Sequence, residues 1–150
     1  MKGWQMLIGQ YQGKLGVKNR VAFPKKFREE LGDKLIMTQG FEKTLIVVSQ
    51  EKWGALLEGT EGKPFTVPAA RDTQRFLLGG ATLVELDEKG RFIIPQYLRD
   101  YAGLTDEIVF LGISRYVEVW DKKRWSDYNA KLSDNASTVA EKLSKEGNDK

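Results

Sequence analysis

The chain has 150 residues, with 24 lysines and arginines against 21 aspartates and glutamates, a formal net charge of +3, and neither cysteine nor histidine. The missing cysteine excludes disulfides and thiolate metal sites, and the missing histidine removes the commonest general base and metal ligand, so the composition argues against an enzyme, a bound metal or a cofactor. No apolar run approaches the roughly 18 residues of a membrane-crossing helix, and the start lacks the apolar segment of a signal peptide, so we expect a soluble, cytoplasmic protein.

The first half of the chain predicts strands, short helices and one hairpin. Its elements, in order, are a strand at 7–15, a basic turn at 16–19, a short strand at 20–23, a helix at 25–31, hairpin strands at 34–39 and 44–48, and a helix at 50–57. Alternating or β-branched runs indicate the strands, and Pro24 fits the start of the first helix. Gly32 ends that helix, and Ser49 is a candidate N-cap for the next.

A linker and a second set of the same elements follow. The predicted elements, in order, are a loop at 58–64, a helix at 69–78, a short strand at 91–94, a helix at 95–102, strands at 107–111 and 116–120, and a helix capped by Asp121. The helix at 69–78 is expected to bury Ala70, Phe76 and Leu77. Beyond Ser133 the chain turns polar, and either a short helix starting near Thr138 or disorder is open there.

One ten-residue stretch, 86–95, organises the second half. Asp87 can accept hydrogen bonds from the amides of its own turn, and Gly90 permits a positive φ. Pro95 then fits the first turn of a helix, because its fixed φ suits the helix and its missing N–H would have been unpaired there. The turn therefore places Lys89 and Arg91 next to each other on a short, stiff loop.

The same order of strand, basic turn, short strand and proline-started helix occurs twice, which indicates an internal duplication. Eight residues recur at an offset of 71, namely Leu7, Gly9, Leu15, Lys18, Arg20, Pro24, Arg28 and Gly32, which match Leu78, Gly80, Leu86, Lys89, Arg91, Pro95, Arg99 and Gly103. After one inserted residue, at an offset of 72, Ile36, Gly40, Val47 and Trp53 match Ile108, Gly112, Val119 and Trp125.

The two repeats are expected to share one core, because half a chain of this length buries too little apolar surface to be stable alone. The residues predicted to be inside are Leu15, Phe23, Phe27, Ile36, Val47, Leu86, Ile94, Leu98, Val109 and Val119.

Basic residues on the two turns are the first candidates for function. Lys18 with Arg20, and Lys89 with Arg91, recur in register on narrow loops that could approach a phosphate backbone or a groove. Six basic residues and no acidic one lie between Lys14 and Arg28, so both ends of that segment join the candidate DNA-binding set. For Arg28 a purely structural role on its helix surface is equally open.

The sequence argues against two possible catalytic sites, a carboxylate pair and a phosphate-binding loop. Asp87 and Glu88 are adjacent on a turn and therefore point apart, and the first repeat has Gly16 and Val17 in their place. The glycines at 79–80 are not followed by the Lys-Ser/Thr of a phosphate-binding loop. We therefore predict no catalytic residue.

The repeated unit resembles the MraZ family of bacterial transcription regulators. The residues that carry the resemblance are Gly9-Gln10-Tyr11, the stretch 24–32, Leu86-Asp87-Glu88-Lys89-Gly90-Arg91, Ile94-Pro95, the stretch 98–104 and Val119-Trp120-Asp121-Lys122. The resemblance implies a mainly β fold with short helices (α+β), in which two tandem AbrB-type swapped-hairpin half-domains intertwine in one pseudo-twofold β-barrel. It also implies ring-shaped homo-oligomers that bind short direct repeats in double-stranded DNA upstream of the division and cell-wall gene cluster, the regulator's own gene included.

Under this resemblance the DNA-contacting arginines are Arg20 and Arg91, supported by Lys18 and Lys89. The first loop departs from the family pattern, because Gly16 and Asn19 stand where Asp and Gly are usual. The expected division of the chain is half-domain 1 at 6–55, a linker with a helix at 56–76, half-domain 2 at 77–126, and a C-terminal helix or flexible tail at 127–150.

Two other functions stay open at this point. An antitoxin-like module that also binds DNA would use a disordered acidic tail, but residues 131–150 carry as many basic as acidic side chains. An enzyme is opposed by the composition alone. The MraZ-type regulator, acting in the cytoplasm at the nucleoid, is the function that the sequence favours.

Overall fold

A computed structural model describes residues 6–57 and 66–148. Its strands are β1 Leu7–Lys14, β2 Arg20–Ala22, β3 Leu35–Gln39, β4 Leu45–Ser49, β5 Thr82–Val84, β6 Arg91–Ile93, β7 Glu107–Ser114 and β8 Tyr116–Asp121. Its α-helices are α1 Lys25–Leu31, α2 Trp53–Leu56, α3 Pro68–Gly79, α4 Gln96–Ala102 and α5 Lys122–Asn148, with 3₁₀ turns at Val17–Asn19 and Gln50–Lys52. The predicted elements are therefore present, and the fold is α+β. Trp4 and the whole of the loop predicted at 58–64 lie outside the described residues.

The strands of the two repeats pair with each other. One antiparallel sheet has the order β1-β7-β8-β4-β3-β5, and β2 with β6 forms a separate two-stranded ribbon. Exchanging each strand of the first repeat for its counterpart (β1 for β5, β2 for β6, β3 for β7, β4 for β8) reproduces the same order reversed. The duplication is thus built as a pseudo-twofold whose axis crosses the ribbon and the β4/β8 pair.

The pairing registers agree with this symmetry but shift one of the sequence matches. Gly13 lies opposite Ile108 and Val84 lies opposite Leu35, so Leu35, and not Ile36, is the structural counterpart of Ile108. A one-residue shift moves a strand's side chains to the other face of the sheet. The prediction that Ile36 is buried in the shared core is therefore wrong: it is half-buried on the opposite face, and Leu35 and Met37 fill the core.

The shared core lies between the β2/β6 ribbon, the inner face of the sheet and the short helices α1 and α4. The expected residues Phe23, Phe27, Val47, Ile94, Leu98 and Val119 are buried in it, with Leu15 and Leu86 packed at its edge. Val109 is buried as expected, but it belongs to a second cluster with Leu111 and Trp120 under α5. Among the described residues the sheet ends at β1 and β5, so the expected closed barrel is not confirmed.

Helix α3 occupies the place where the second repeat should begin its first strand. Leu78 matches Leu7 in sequence, yet it is a helical residue, and β5 is only three residues long where β1 has eight. The helix is tied to the edge of β3: the Thr38 hydroxyl donates to the Leu77 carbonyl and Gln39 Nε2 donates to the Phe76 carbonyl at 3.0 Å. Leu77 is buried as predicted, whereas Ala70 and Phe76 are only half-buried.

Helix α5 is continuous from Lys122 to Asn148, so of the two alternatives left open beyond Ser133 the chain is helical, without a separate helix start near Thr138. Asp121 caps the helix, because its Oδ2 accepts a hydrogen bond from the backbone N–H of Arg124 at 3.3 Å. Its Oδ1 accepts hydrogen bonds from the backbone N–H and the hydroxyl of Thr105. Arg124 anchors the start of the helix, because its Nη1 donates to the carbonyls of Lys43 at 2.7 Å and Ala102 at 2.8 Å. No helix among the described residues is long and apolar enough to cross a membrane.

Candidate nucleic-acid interface

The β2/β6 ribbon presents one buried and one solvent-exposed face. Val21 and Phe92 lie opposite each other and point into the core. The outer face consists of the two remaining cross-strand pairs, Arg20 with Ile93 and Ala22 with Arg91. Paired residues in an antiparallel ladder share a face, so the two arginines occupy diagonal corners of one small surface.

The second loop is held by Asp87 as the sequence predicted. Its Oδ1 accepts the backbone N–H groups of Lys89 and Arg91, both at 2.9 Å, and its Oδ2 accepts Nε of Arg91 at 2.9 Å. The hydrogen bond from the Arg91 backbone is the main cause that holds the pKa of Asp87 below its ordinary value, with the Lys89 backbone and the Arg91 side chain adding to it. Gly90 has a φ of 75°, the conformation expected for it.

The first loop has the same backbone frame without the carboxylate. The Gly16 N–H donates to the Arg20 carbonyl at 2.8 Å and the Asn19 N–H to the Gly16 carbonyl at 3.1 Å, which repeats the Asp87–Arg91 and Gly90–Asp87 bonds of the second loop. Lys18 and Asn19 both take positive φ values, of 62° and 59°. Such values are uncommon for residues other than glycine, so this loop carries backbone strain that the second loop avoids, because Lys89 does not have a positive φ and Gly90 stands in the place of Asn19.

Each loop is also tied to the opposite strand of the ribbon. The Phe23 N–H donates to the Gly90 carbonyl at 2.9 Å, and the Ile94 N–H points to the Asn19 carbonyl at 3.4 Å. Because β2 and β6 are antiparallel, the two basic loops lie at the two ends of one ribbon. The structure thereby brings Lys18 and Arg20 together with Lys89 and Arg91 as the ends and corners of a single surface.

Arg28 contacts the loop of the other repeat. It rises from α1, and its guanidinium covers Gly90 so closely that a Cβ added there would overlap Nη1. Its counterpart Arg99 does otherwise: Nε donates to the Ile94 carbonyl at 3.0 Å and Nη2 to Gln96 at 2.8 Å. Of these two counterpart arginines, Arg28 therefore adds a cation to the loop of the other repeat, while Arg99 hydrogen-bonds at the start of its own helix.

Lys14 lies apart from the ribbon face. It ends β1 opposite Glu107, and it lines an open cleft with Asp106, Glu107 and Lys122. Glu107 also pairs with Lys122 at 3.4 Å. Lys14 thus lies beside two carboxylates, and Arg91 pairs with Asp87, while no carboxylate in residues 6–57 and 66–148 forms an ion pair with Lys18, Arg20, Lys89 or Arg28.

Sequence reasoning missed two residues of the surface, Ala22 and Ile93. The signal was present in the alternation of Arg91, Phe92 and Ile93, which puts the first and third on one face once Phe92 is buried. No group of acidic residues able to hold a metal ion occurs among the residues that the structure describes.

The fold and the ribbon define the class of protein: a tandem duplication of one α+β half-domain whose copies exchange strands and join at a basic two-stranded ribbon. A family model described as "MraZ protein, putative antitoxin-like" matches residues 6–76 and again residues 77–146. The chain belongs to the MraZ family.

Relatives that match nearly the whole chain carry the name of the same family. A protein named transcriptional regulator MraZ from Acetivibrio thermocellus is 43% identical over 138 residues, which cover 92% of this chain and 96% of that protein. One of the same name from Clostridium acetobutylicum is 42% identical over 142 residues, covering 95% and 99%. A solved structure, PHS018 from Pyrococcus horikoshii, covers 73% of this chain and 94% of its own with a TM-score of 0.32 and 16% identity, a likeness that does not establish a shared fold.

Proposed function

We propose that the protein is a sequence-specific DNA-binding transcriptional regulator that reads double-stranded DNA with the β2/β6 ribbon. It acts in the cytoplasm, at the nucleoid, and it is not an enzyme. The observation that carries the proposal is the ribbon's outer face, on which Arg20 and Arg91 lie at diagonal corners between two basic loops. The naming of its relatives as transcriptional regulators supports the same function.

The shape and charge of the ribbon suit the major groove. Two paired strands are about 5 Å apart, and the groove, about 12 Å wide, admits a two-stranded ribbon with its side chains. Arginine can donate two hydrogen bonds to a guanine edge, while Lys18 and Lys89 at the loops are placed to contact phosphates. The ordered second loop lets Arg91 bind with little loss of conformational entropy, because Asp87 already fixes its backbone.

Family membership supports the finer proposals about target and assembly. The target is a set of short direct repeats upstream of the division and cell-wall gene cluster, including the regulator's own gene. One ribbon covers only a few base pairs, so a ring of identical chains would raise affinity by linking several weak contacts at high effective concentration.

The test is a gel shift on DNA from upstream of the protein's own gene, at several salt concentrations. The double variant Arg20→Ala/Arg91→Ala should lose binding to this DNA and to a scrambled duplex of equal length. The matched control is Arg115→Ala, because Arg115 is exposed and follows Ser114, which pairs with the end of β1 farthest from the first loop. Unchanged binding by the double variant, with circular dichroism showing an intact fold, would refute the proposed site.

The antitoxin-like alternative has less support from the chain. Its expected feature is a disordered acidic tail, but residues 131–148 belong to helix α5 and carry both signs of charge. A toxin captured by the protein in place of DNA binding would favour the alternative.

A further inference from the structure

Ile93 is an exposed isoleucine in the middle of the basic surface. Its side chain is 56% exposed, although its neighbours Phe92 and Ile94 are buried in the core. It lies directly opposite Arg20 and two residues from Arg91 on the same face. Isolated exposed apolar side chains are common on proteins, so the exposure alone identifies nothing; the position between two arginines on an uncovered ribbon is the informative observation.

The pseudo-twofold shows that this position differs between the repeats. The counterpart of Ile93 on β2 is Ala22, as the cross-strand pairs of Arg20 with Ile93 and of Ala22 with Arg91 require. The arginines of the outer face are therefore duplicated, whereas one apolar corner is large and the other small. A partner bound to this face would contact an arginine on each side, but a large apolar side chain on one side only.

We propose that Ile93 recognises thymine by packing against its C5-methyl group in the major groove, and thus determines part of the sequence specificity. The proposal rests on the DNA-binding function of the ribbon. The methyl group is the one apolar feature of the major-groove edge, and apolar side chains contact it there. Arg91 and Ile93 are about 7 Å apart along the strand, the rise of about two base steps, so both can contact one DNA strand at once.

Ala22 makes no equivalent contact, because its side chain ends at Cβ. The two halves of the ribbon therefore read a site that is asymmetric in one base: an arginine lies on each side, but only the β6 side requires a thymine. The asymmetry follows from the difference in size between Ala22 and Ile93. It does not depend on any difference between the two loops.

The experiment uses the full chain and duplexes that the protein itself selects from a library randomised over roughly 20 base pairs. In the enriched duplex each thymine is replaced in turn by deoxyuracil, which removes only the methyl group. For the wild type, uracil at one position should weaken binding by about fourfold, the equivalent of one buried methyl group. For Ile93→Ala that ratio should fall to one, and for Ile93→Val it should be intermediate.

Ile8→Ala is the matched control, since Ile8 is also a strand isoleucine and is 57% exposed, on β1. It should keep the wild-type ratios. Equal ratios for wild type and Ile93→Ala at every thymine, or no thymine-sensitive position in the wild type, would overturn this inference and leave the proposed function standing. A library from which no sequence is enriched would refute both.

Discussion

Gly90→Ala should damage DNA binding more than it damages the fold. An alanine at a positive φ costs about 1–2 kcal/mol, which for a chain of this size lowers Tm by roughly 3–6 °C. The added Cβ also overlaps Nη1 of Arg28, the far end of a flexible side chain, so Arg28 turns away from the second loop. The loop then loses its additional cation, and the salt slope of DNA binding should fall by about one unit for the phosphate contact that is lost.

Gly103→Ala supplies the comparison. Gly103 also has a positive φ, of 61°, but a Cβ there meets only Cδ of Arg124 at 3.6 Å, an ordinary contact. Both variants should lose similar stability in thermal unfolding followed by circular dichroism. Only Gly90→Ala should weaken binding and flatten its salt dependence. If Gly90→Ala binds DNA like Gly103→Ala, Arg28 is not positioned for DNA and the reasoning is refuted.

Other outcomes follow from the same geometry. Arg20→Ala should weaken binding to all duplexes and flatten its salt dependence, whereas Arg91→Ala should cost about 1–3 kcal/mol of discrimination between selected and random DNA; titrations that give both variants the same losses would disprove this division. Burial, and after it the charge of Glu42, raise the pKa of Glu118, so its ionised side chain destabilises the fold at pH 7. Glu118→Gln should therefore raise Tm at pH 7, and this gain should vanish in melts below about pH 4, where the side chain is protonated in both states. Because hydrogen bonds from the backbone of Arg91 and Lys89 lower the pKa of Asp87, the contribution of this carboxylate should be complete above about pH 5 and lost as the pH falls below about 4. The protection of the Lys89 amide from exchange, taken relative to the intrinsic exchange rate at each pH, should therefore fall in acid for the wild type and should not change with pH in Asp87→Asn.

The sequence predicted the second loop almost completely, because its chemistry is local. Asp87 accepts the amides of its own turn and Gly90 takes the positive φ that the pattern required. The helix starts and ends at Pro95, Gly103 and Asp121 are local in the same sense. Each of these contacts joins residues within a few positions, so residue type and spacing suffice to predict it.

Features that depend on distant parts of the chain could not be predicted from spacing. The sequence match puts Ile36 on the wrong face of the sheet because it runs one residue out of the structural register, and the register is visible only in the pairing of Leu35 with Val84. The contact of Arg28 with Gly90 joins opposite repeats, which no local pattern encodes. Ile93 became a candidate only when its pairing with Arg20 placed it on the same face as the arginines.

The exchange of strands has a consequence for biosynthesis. Leu7 finds its partner Ser114 only after most of the chain has been made, and at about 5–20 residues per second this takes roughly 5–20 s on the ribosome. During that interval β3 and β4 can form their hairpin, but β1 has no strand to pair with. A neighbouring nascent chain on the same messenger offers an equivalent strand at that moment. Co-translational folding of this protein is therefore a competition between pairing within one chain and pairing between two, and its outcome depends on translation speed and ribosome spacing.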